Sequence, residues 1–419
     1  MIASIKDKKF VNYIILLGGL SGYLLNFYLF RSQLHDFGDF IKAGELIWNQ
    51  KDPYSQLMYV NSPVSAVYVY LLSKVFFFLH FPIIIQILNI AGLYFFLNQV
   101  LRPSLSNSMF LAFALLPFMS PARALFANVQ VTGLVLGLLA FAIFLSRRSK
   151  PEFLVVVPMW MAAELKPQMA LPIILILVFE RRLNLKRIAL LSSYVVAAHI
   201  IVNLRFGSLL DLEWIRKLMR YSDSSYKEGY EISYWKSLAI YTGQEGVVKI
   251  LSLATIIIFI LFIINFSLKG KISYAILMSL LFPLQNSYLH LYDLVPIALV
   301  LSVLGLKNKS ILAVAPVFFL AQLFVLEIPS QLITGLLFFV FFLVVTDRRR
   351  NLLRNTAVLL ATTGIAIGSY LVFKGVSEEL QIVFTLVIPI TICLVLSRYS
   401  VIGLLRNALS KPDPALDAL

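Results

Sequence analysis

One cysteine, Cys393, is all that 419 residues contain, so no intrachain disulfide can staple this chain. Charge is also scarce. Asp, Glu, Lys and Arg make up 14% of the residues, against about 25% in an ordinary soluble domain. That is too little to clothe a soluble surface. Acidic residues are the scarcer sign, 21 against 36 Lys and Arg, for a net charge of +15. Low-complexity linkers and internal repeats are lacking, and no segment between apolar runs is long enough for a separate soluble domain. What is present is apolar sequence, 60% of the chain with a mean hydropathy of +0.86. A helix of about 20 apolar residues crosses a hydrocarbon core of about 30 Å. The expectation is an all-α polytopic integral membrane protein, one unit over residues 1–419.

The excess of base has a topological reading. Lys6/Lys8/Lys9, Arg147/Arg148/Lys150, Arg181/Arg182/Lys186/Arg187, Lys269/Lys271, Lys307/Lys309, Arg348/Arg349/Arg350/Arg354 and Arg398 with Arg406 and Lys411 are short clusters between apolar runs. Cytoplasmic loops look like this, and a nucleic-acid surface does not, so no nucleic acid is expected as a partner. Placing every cluster inside puts both termini in the cytoplasm. The expected spans are Val11–Phe30 (read as a retained first span, not a signal peptide), Ser62–His80, Pro82–Leu101, Val129–Ser146, Phe153–Ala163, Pro167–Phe179, Ile188–Leu204 and Val247–Leu268. Further spans lie between Ile272 and Ser397, for about 12–14 crossings at membrane-spanning length. Met109 to Pro121 is short and reads as a re-entrant segment. Phe153–Ala163 and Pro167–Phe179 read as a helical hairpin with Glu164 and Lys166 at its tip. Three polar regions then share the outer face: Arg31–Asn61, Arg205–Gly246 and Asn286–Asp293. Arg123–Gln130 and the hairpin tip join them.

Carboxylates gather in the first loop. Phe37, Phe40, Ile41, Gly44, Ile47 and Trp48 recur at helical spacing, with Asp39, Lys42, Glu45 and Gln50 opposite. The spacing predicts a short amphipathic helix on the membrane surface, ended by Asp52-Pro53-Tyr54. Asp36, just before it, suits an N-cap. It equally suits a general base at a cavity mouth, where partial desolvation raises a carboxylate toward proton-abstracting range. Lys166 at the hairpin tip needs a partner. It either pairs with Glu164 or snorkels, or it contacts a phosphate as a point charge. His290 and Asp293 are three residues apart and could line the same cavity. They lack a third ligand at metal-site spacing, so no metal is expected. His199, in mid-span, reads as a satisfied core histidine. The loop Arg205–Gly246, with Arg216 among its cations and several aromatics, reads as a solvated interfacial loop or a cover over the cavity.

The run Asp36-Phe-x-x-Phe-Ile-x-Ala43, then Asp52-Pro53-Tyr54, then Ser62-Pro63 resembles the first-loop pattern of glycosyltransferase family 87. That pattern is Asp-Phe-x-x-Tyr-Tyr-x-Ala, Gly-x-Asp-Pro-Tyr and Tyr-Pro-Pro. Asn128-Val-Gln130 stands where the family has Gly-Gln-x-Asn. Leu165-Lys166-Pro167 is similar to its Leu-Lys-Pro. Tyr288-Leu-His290-Leu-Tyr292-Asp293 is similar to its late Ser-Pro-x-x-x-His/Tyr-x-Asp region. Departures are Phe40 and Ile41 for the paired tyrosines, Gln50 for the glycine before Asp-Pro-Tyr, and Asn61-Ser62 before Pro63. The resemblance implies a GT-C fold, with a catalytic region over residues 31–293 and C-terminal helices over 294–419. It implies transfer of a sugar, most naturally mannose, from a polyprenyl-phosphate donor to a glycolipid or glycan acceptor on the outer face of the cytoplasmic membrane. No cofactor is implied. Asp36 would be the base. Lys166, His290, Arg123 and Arg216 would meet the donor phosphate, with Asp39, Asp293 and Gln130 nearby. A lipid-linked sugar flippase and a glycan polymerase or ligase are the rival expectations.

Overall fold

The computed structural model describes residues 8–29, 35–56, 61–75, 81–100, 106–118, 129–148, 150–179, 184–206, 209–221 and 243–269, with isolated positions at 122–126 and 275–303. Every regular element among them is helical. In chain order they are α1 (Lys8–Leu29), α2 (His35–Trp48), α3 (Pro53–Gln56), α4 (Pro63–Val75), α5 (Phe81–Val100), α6 (Ser106–Leu115) with a 3-10 turn Leu116–Phe118, α7 (Thr132–Arg147), α8 (Glu152–Leu165), α9 (Pro167–Phe179), α10 (Leu185–Phe206), α11 (Leu210–Tyr221) and α12 (Glu245–Leu268). Within α5, α10 and α12 the chain is long and apolar enough to cross a membrane. The expected spans up to Leu268 thus fall on helices, and those beyond Ile272 lie almost wholly outside the described residues. The chain divides into two compact units.

The first unit holds Met1–Asn26, Pro103–Arg123 and Leu294–Leu419. In it Gly19 lies against Ala114, Tyr23 donates its hydroxyl to the Phe113 carbonyl at 2.8 Å, and Asn26 Nδ2 reaches the Pro117 carbonyl at 2.9 Å. Helix α6, expected as a re-entrant segment, has 10 residues. That is about 15 Å of rise, half a hydrocarbon core.

The second unit, Phe27–Arg102 with Ala124–Asp293, carries the candidate site. Helices α5 and α7 run side by side in parallel. Gln86 bonds to the Phe126 carbonyl, Asn89 to the Gln130 carbonyl and the Leu134 N–H, and Gln99 to Arg147. Their axes approach closely because a Cβ on Gly133 would stand 2.2 Å from the Asn89 carbonyl oxygen, and one on Gly137 2.5 Å from the Gly92 Cα. Gly133 and Gly137 form the small-xxx-small spacing that brings membrane helices together.

Two ion pairs set the direction of the next helices. Arg187 holds Glu152, and His199 meets Glu164. The pairs are twelve residues apart on both α8 and α10, about 18 Å of rise, so these helices run parallel. Helix α9 must then return between them, which makes α8 and α9 the hairpin expected from sequence. At its tip Lys166 has φ −156° and ψ 77°. A residue before proline is pushed out of the helical region, and Pro167 then opens α9 without needing its missing N–H.

The two ends of the unit differ in character. One has Ser146, Arg147, Arg148, Glu152 and Arg187, where Arg187 also donates to Ser146 Oγ at 2.7 Å. The hydrogen bond from Arg187 keeps the Glu152 carboxyl below the usual carboxylate range. Its contribution is therefore in place at neutral pH and is lost only as the pH falls through that lowered value. The opposite end has Ser62, Thr132, Glu164, Lys166 and His199.

Candidate functional site

The site is built at the hairpin tip. Lys166 is 4% exposed. Its ammonium donates to Thr132 Oγ1 at 2.8 Å and forms an ion pair with Asp293, which is buried. Thr132 is the first residue of α7, so the antiparallel packing of α7 on α8 delivers it to the tip. Sequence proximity suggested Glu164 as the Lys166 partner. The carboxylate that holds Lys166 is instead Asp293, because Lys166 leaves the helix at the elbow and Glu164 stays on α8.

Glu164 has its own partners. It is 5% exposed, accepts the Ser62 hydroxyl at 2.6 Å, and faces His199 Nε2 at 3.3 Å. Ser62 also accepts the Ser65 N–H at 3.1 Å, so one hydroxyl caps α4 and ties it to α8. On the other side of the ring His199 Nδ1 lies 2.6 Å from Asp211 Oδ1, and Asp211 Oδ2 accepts Asn203 Nδ2 at 2.5 Å. The ring stacks on Trp214 with centroids 6.0 Å apart. His199 is thus satisfied on both ring nitrogens, as expected, and stands at the centre of a carboxylate–imidazole–carboxylate row. The two carboxylates address opposite nitrogens and do not converge. Among the described residues no group of three His, Cys, Asp or Glu side chains is placed to hold a metal ion.

An open groove of about 400 Å³ lies over this row. Val195, Val196, Ile200 and Leu204 wall it, and His199, Asn203 and Asp211 form its polar part. Asp211 is in the first turn of α11, which falls inside the stretch expected to be an open loop. Its Leu212, Ile215 and Met219 are exposed on one side. Arg216 is also on this helix, exposed and paired with Glu213 one turn back. The structure thus turns Arg216 toward Glu213 rather than toward Lys166.

Helix α2 begins at His35, one residue before Asp36, so Asp36 sits in its first turn rather than at the N-cap. The Asp36 side chain lies outside the described residues, as do Arg123 and His290. Phe37, Phe40, Ala43 and Ile47 are buried and Asp39 is half-buried, and Gly44 packs so closely on α4 that a Cβ would stand 2.3 Å from the Ala66 carbonyl oxygen. Asp52 does not end this helix. The Gln50 N–H bonds to the Ile47 carbonyl and the Lys51 N–H to the Leu46 carbonyl at 2.8 Å, with Gln50 at φ +59°. This is a Schellman ending, complete before Asp52. Asp52 instead accepts the Tyr54 N–H at 2.9 Å and starts α3, and the Tyr54 hydroxyl ties down the Asn61 carbonyl.

Gln130 is buried beside a second ending of the same kind. The Val129 N–H bonds to the Phe126 carbonyl and the Gln130 N–H to the Leu125 carbonyl, with Val129 at φ +50°. Val129 and Gln50 are the only non-glycine residues with positive φ among those described.

No family model, no curated protein and no solved structure matches the chain. The likeness to glycosyltransferase family 87 therefore rests on the short sequence motifs. His199, Glu164, Asp211 and Ser62 were absent from the candidates drawn from sequence. The signal for Ser62 was its departure from the Tyr-Pro pattern. For His199 it was an ionisable group in an apolar run, which is costly without a purpose.

Proposed function

We propose that this chain is a membrane glycosyltransferase of the GT-C type, taking a sugar, most naturally mannose, from a polyprenyl-phosphate donor. The observation that carries the reading is the buried Lys166, fixed by Thr132 and Asp293 at the polar end of an apolar helical unit. It sits at the elbow that resembles the family's Leu-Lys-Pro, and a lysine held there can meet a phosphate as a point charge.

A second observation favours the same family. Its pattern has glycine before Gln and glycine two residues before Asp-Pro-Tyr. Aligned on Gln130 and Asp52, those glycines fall on Val129 and Gln50. Both positions hold the left-handed backbone that glycine adopts without strain.

In this reading the acceptor hydroxyl attacks the anomeric carbon opposite the phosphate. The new C–O bond forms as the bond to the phosphate oxygen breaks, so the centre inverts. The acceptor's proton goes to the Asp36 carboxylate. Lys166 offsets the charge that develops on the leaving phosphate, with His290 as a further contact and Asp293 holding Lys166 in place. The site faces outward from the cytoplasmic membrane, and the basic end of the second unit faces in.

The test is incubation of the purified full-length protein with radiolabelled polyprenyl-phosphate mannose and a membrane glycolipid fraction. Label is expected to move from the donor to an acid-stable glycolipid. Label that changes leaflet but stays on the donor would make the chain a flippase instead.

A further inference from the structure

We infer that the groove over His199, Asn203 and Asp211 binds the hydroxyl-rich, uncharged headgroup of a glycolipid. Three features point there. The first is charge. Glu164 and Asp211 share one imidazole, so the row sets two acidic side chains against at most one cation. A phosphate headgroup would be repelled. Sugar hydroxyls donate to carboxylates in short, charge-assisted hydrogen bonds.

The second is the wall. Val196, Ile200 and Leu204 follow at intervals of four and so line one face of α10. They are 55%, 52% and 79% exposed. Together they form an apolar track about 12 Å long that runs beside His199 and Asn203, suited to one lipid chain whose headgroup meets the polar row. The third is acceptor capacity. Asp211 is 33% exposed in the groove, with His199 on one carboxylate oxygen and Asn203 on the other. A carboxylate has about four lone-pair sites, which leaves room for hydroxyl donors from a ligand.

In the reading proposed above this lipid is the acceptor, and that assignment rests on it. The binding itself does not. The experiment uses the full-length protein in phosphatidylcholine nanodiscs, with bromine-labelled diglucosyl-diacylglycerol or bromine-labelled phosphatidylglycerol. Bromine quenches nearby indoles, and Trp214 lies against His199. Its share is read as the difference between each protein and its Trp214→Phe counterpart.

The glycolipid is expected to quench Trp214 at a mole fraction about tenfold lower than phosphatidylglycerol, as one lost charge-assisted hydrogen bond would set it. Asp211→Asn should remove most of that preference. Val196→Phe, which fills the groove and removes none of its polar groups, should weaken the glycolipid alike. Equal quenching by the two lipids, stronger quenching by phosphatidylglycerol, or a preference unchanged in both variants overturns the inference. No donor is present, so failure here leaves the transfer assay standing, and failure of transfer leaves this result standing.

Discussion

Removing one partner of a buried ion pair leaves a charge with nothing to offset it. Lys166 and Asp293 are such a pair, with side chains 5% and 0% exposed. Lys166→Met and Asp293→Asn should each lower stability by about 3–5 kcal/mol. The double variant should be more stable than either single one, since no orphan charge remains. Thermal unfolding in detergent checks this, and additive losses would mean that the two do not act as a pair. The residues of the first loop give a contrast. Asp36→Asn keeps a helix-compatible polar side chain but cannot take a proton, so it should cost about 10²–10⁴ in transfer rate. Asp39→Asn should cost much less, because Asp39 lies a turn further into α2 than Asp36 and takes no proton in this reading. Turnover of the two variants decides which carboxylate is the base.

At the scale of elements, helix endings and helix crossings make separate claims. Gln50 and Val129 hold left-handed backbone at a cost of about 1–2 kcal/mol each. Gln50→Gly and Val129→Gly should therefore raise the melting temperature, with transfer unchanged for Gln50→Gly. Gly133→Ala should lower it, because the added Cβ meets the Asn89 backbone, which cannot move aside. The two Gly substitutions and the Gly133 variant thus move in opposite directions in one assay. Much of this element structure was legible. Apolar length marked the helices, and Pro167 marked the elbow, since proline constrains the residue before it. Gly133-x-x-x-Gly137 was also readable as a crossing. Helix α11 was obscured by its Arg and Lys content, although Leu212, Ile215, Leu218 and Met219 repeat at helical spacing. The end of α2 was assigned to Pro53 because a left-handed glutamine leaves no compositional mark.

At the scale of the whole molecule, pairing between distant segments was the part that composition could not carry. Lys166 and Asp293 were each visible as charges in apolar surroundings. That they meet depends on how the chain returns after α12. The partners of His199 were hidden for the same reason: its carboxylates come from α8 and α11, and only the parallel packing of α8 on α10 brings Glu164 to it. The orientation in the membrane is a further whole-molecule claim. In a Cys393→Ser background, cysteine at position 39 should react with an impermeant thiol reagent from outside, and cysteine at position 150 should not. The central claim is that the polar end of this unit transfers a sugar from a lipid-linked donor. Its most direct test is turnover of purified wild-type protein and Asp36→Asn with radiolabelled polyprenyl-phosphate mannose and a glycolipid acceptor, together with donor binding to both. The account expects transfer by the wild type and donor binding by both, with transfer by Asp36→Asn reduced at least about a hundredfold. Wild-type protein that binds the donor and never transfers its sugar, or an Asp36→Asn variant that transfers at the wild-type rate, would contradict it.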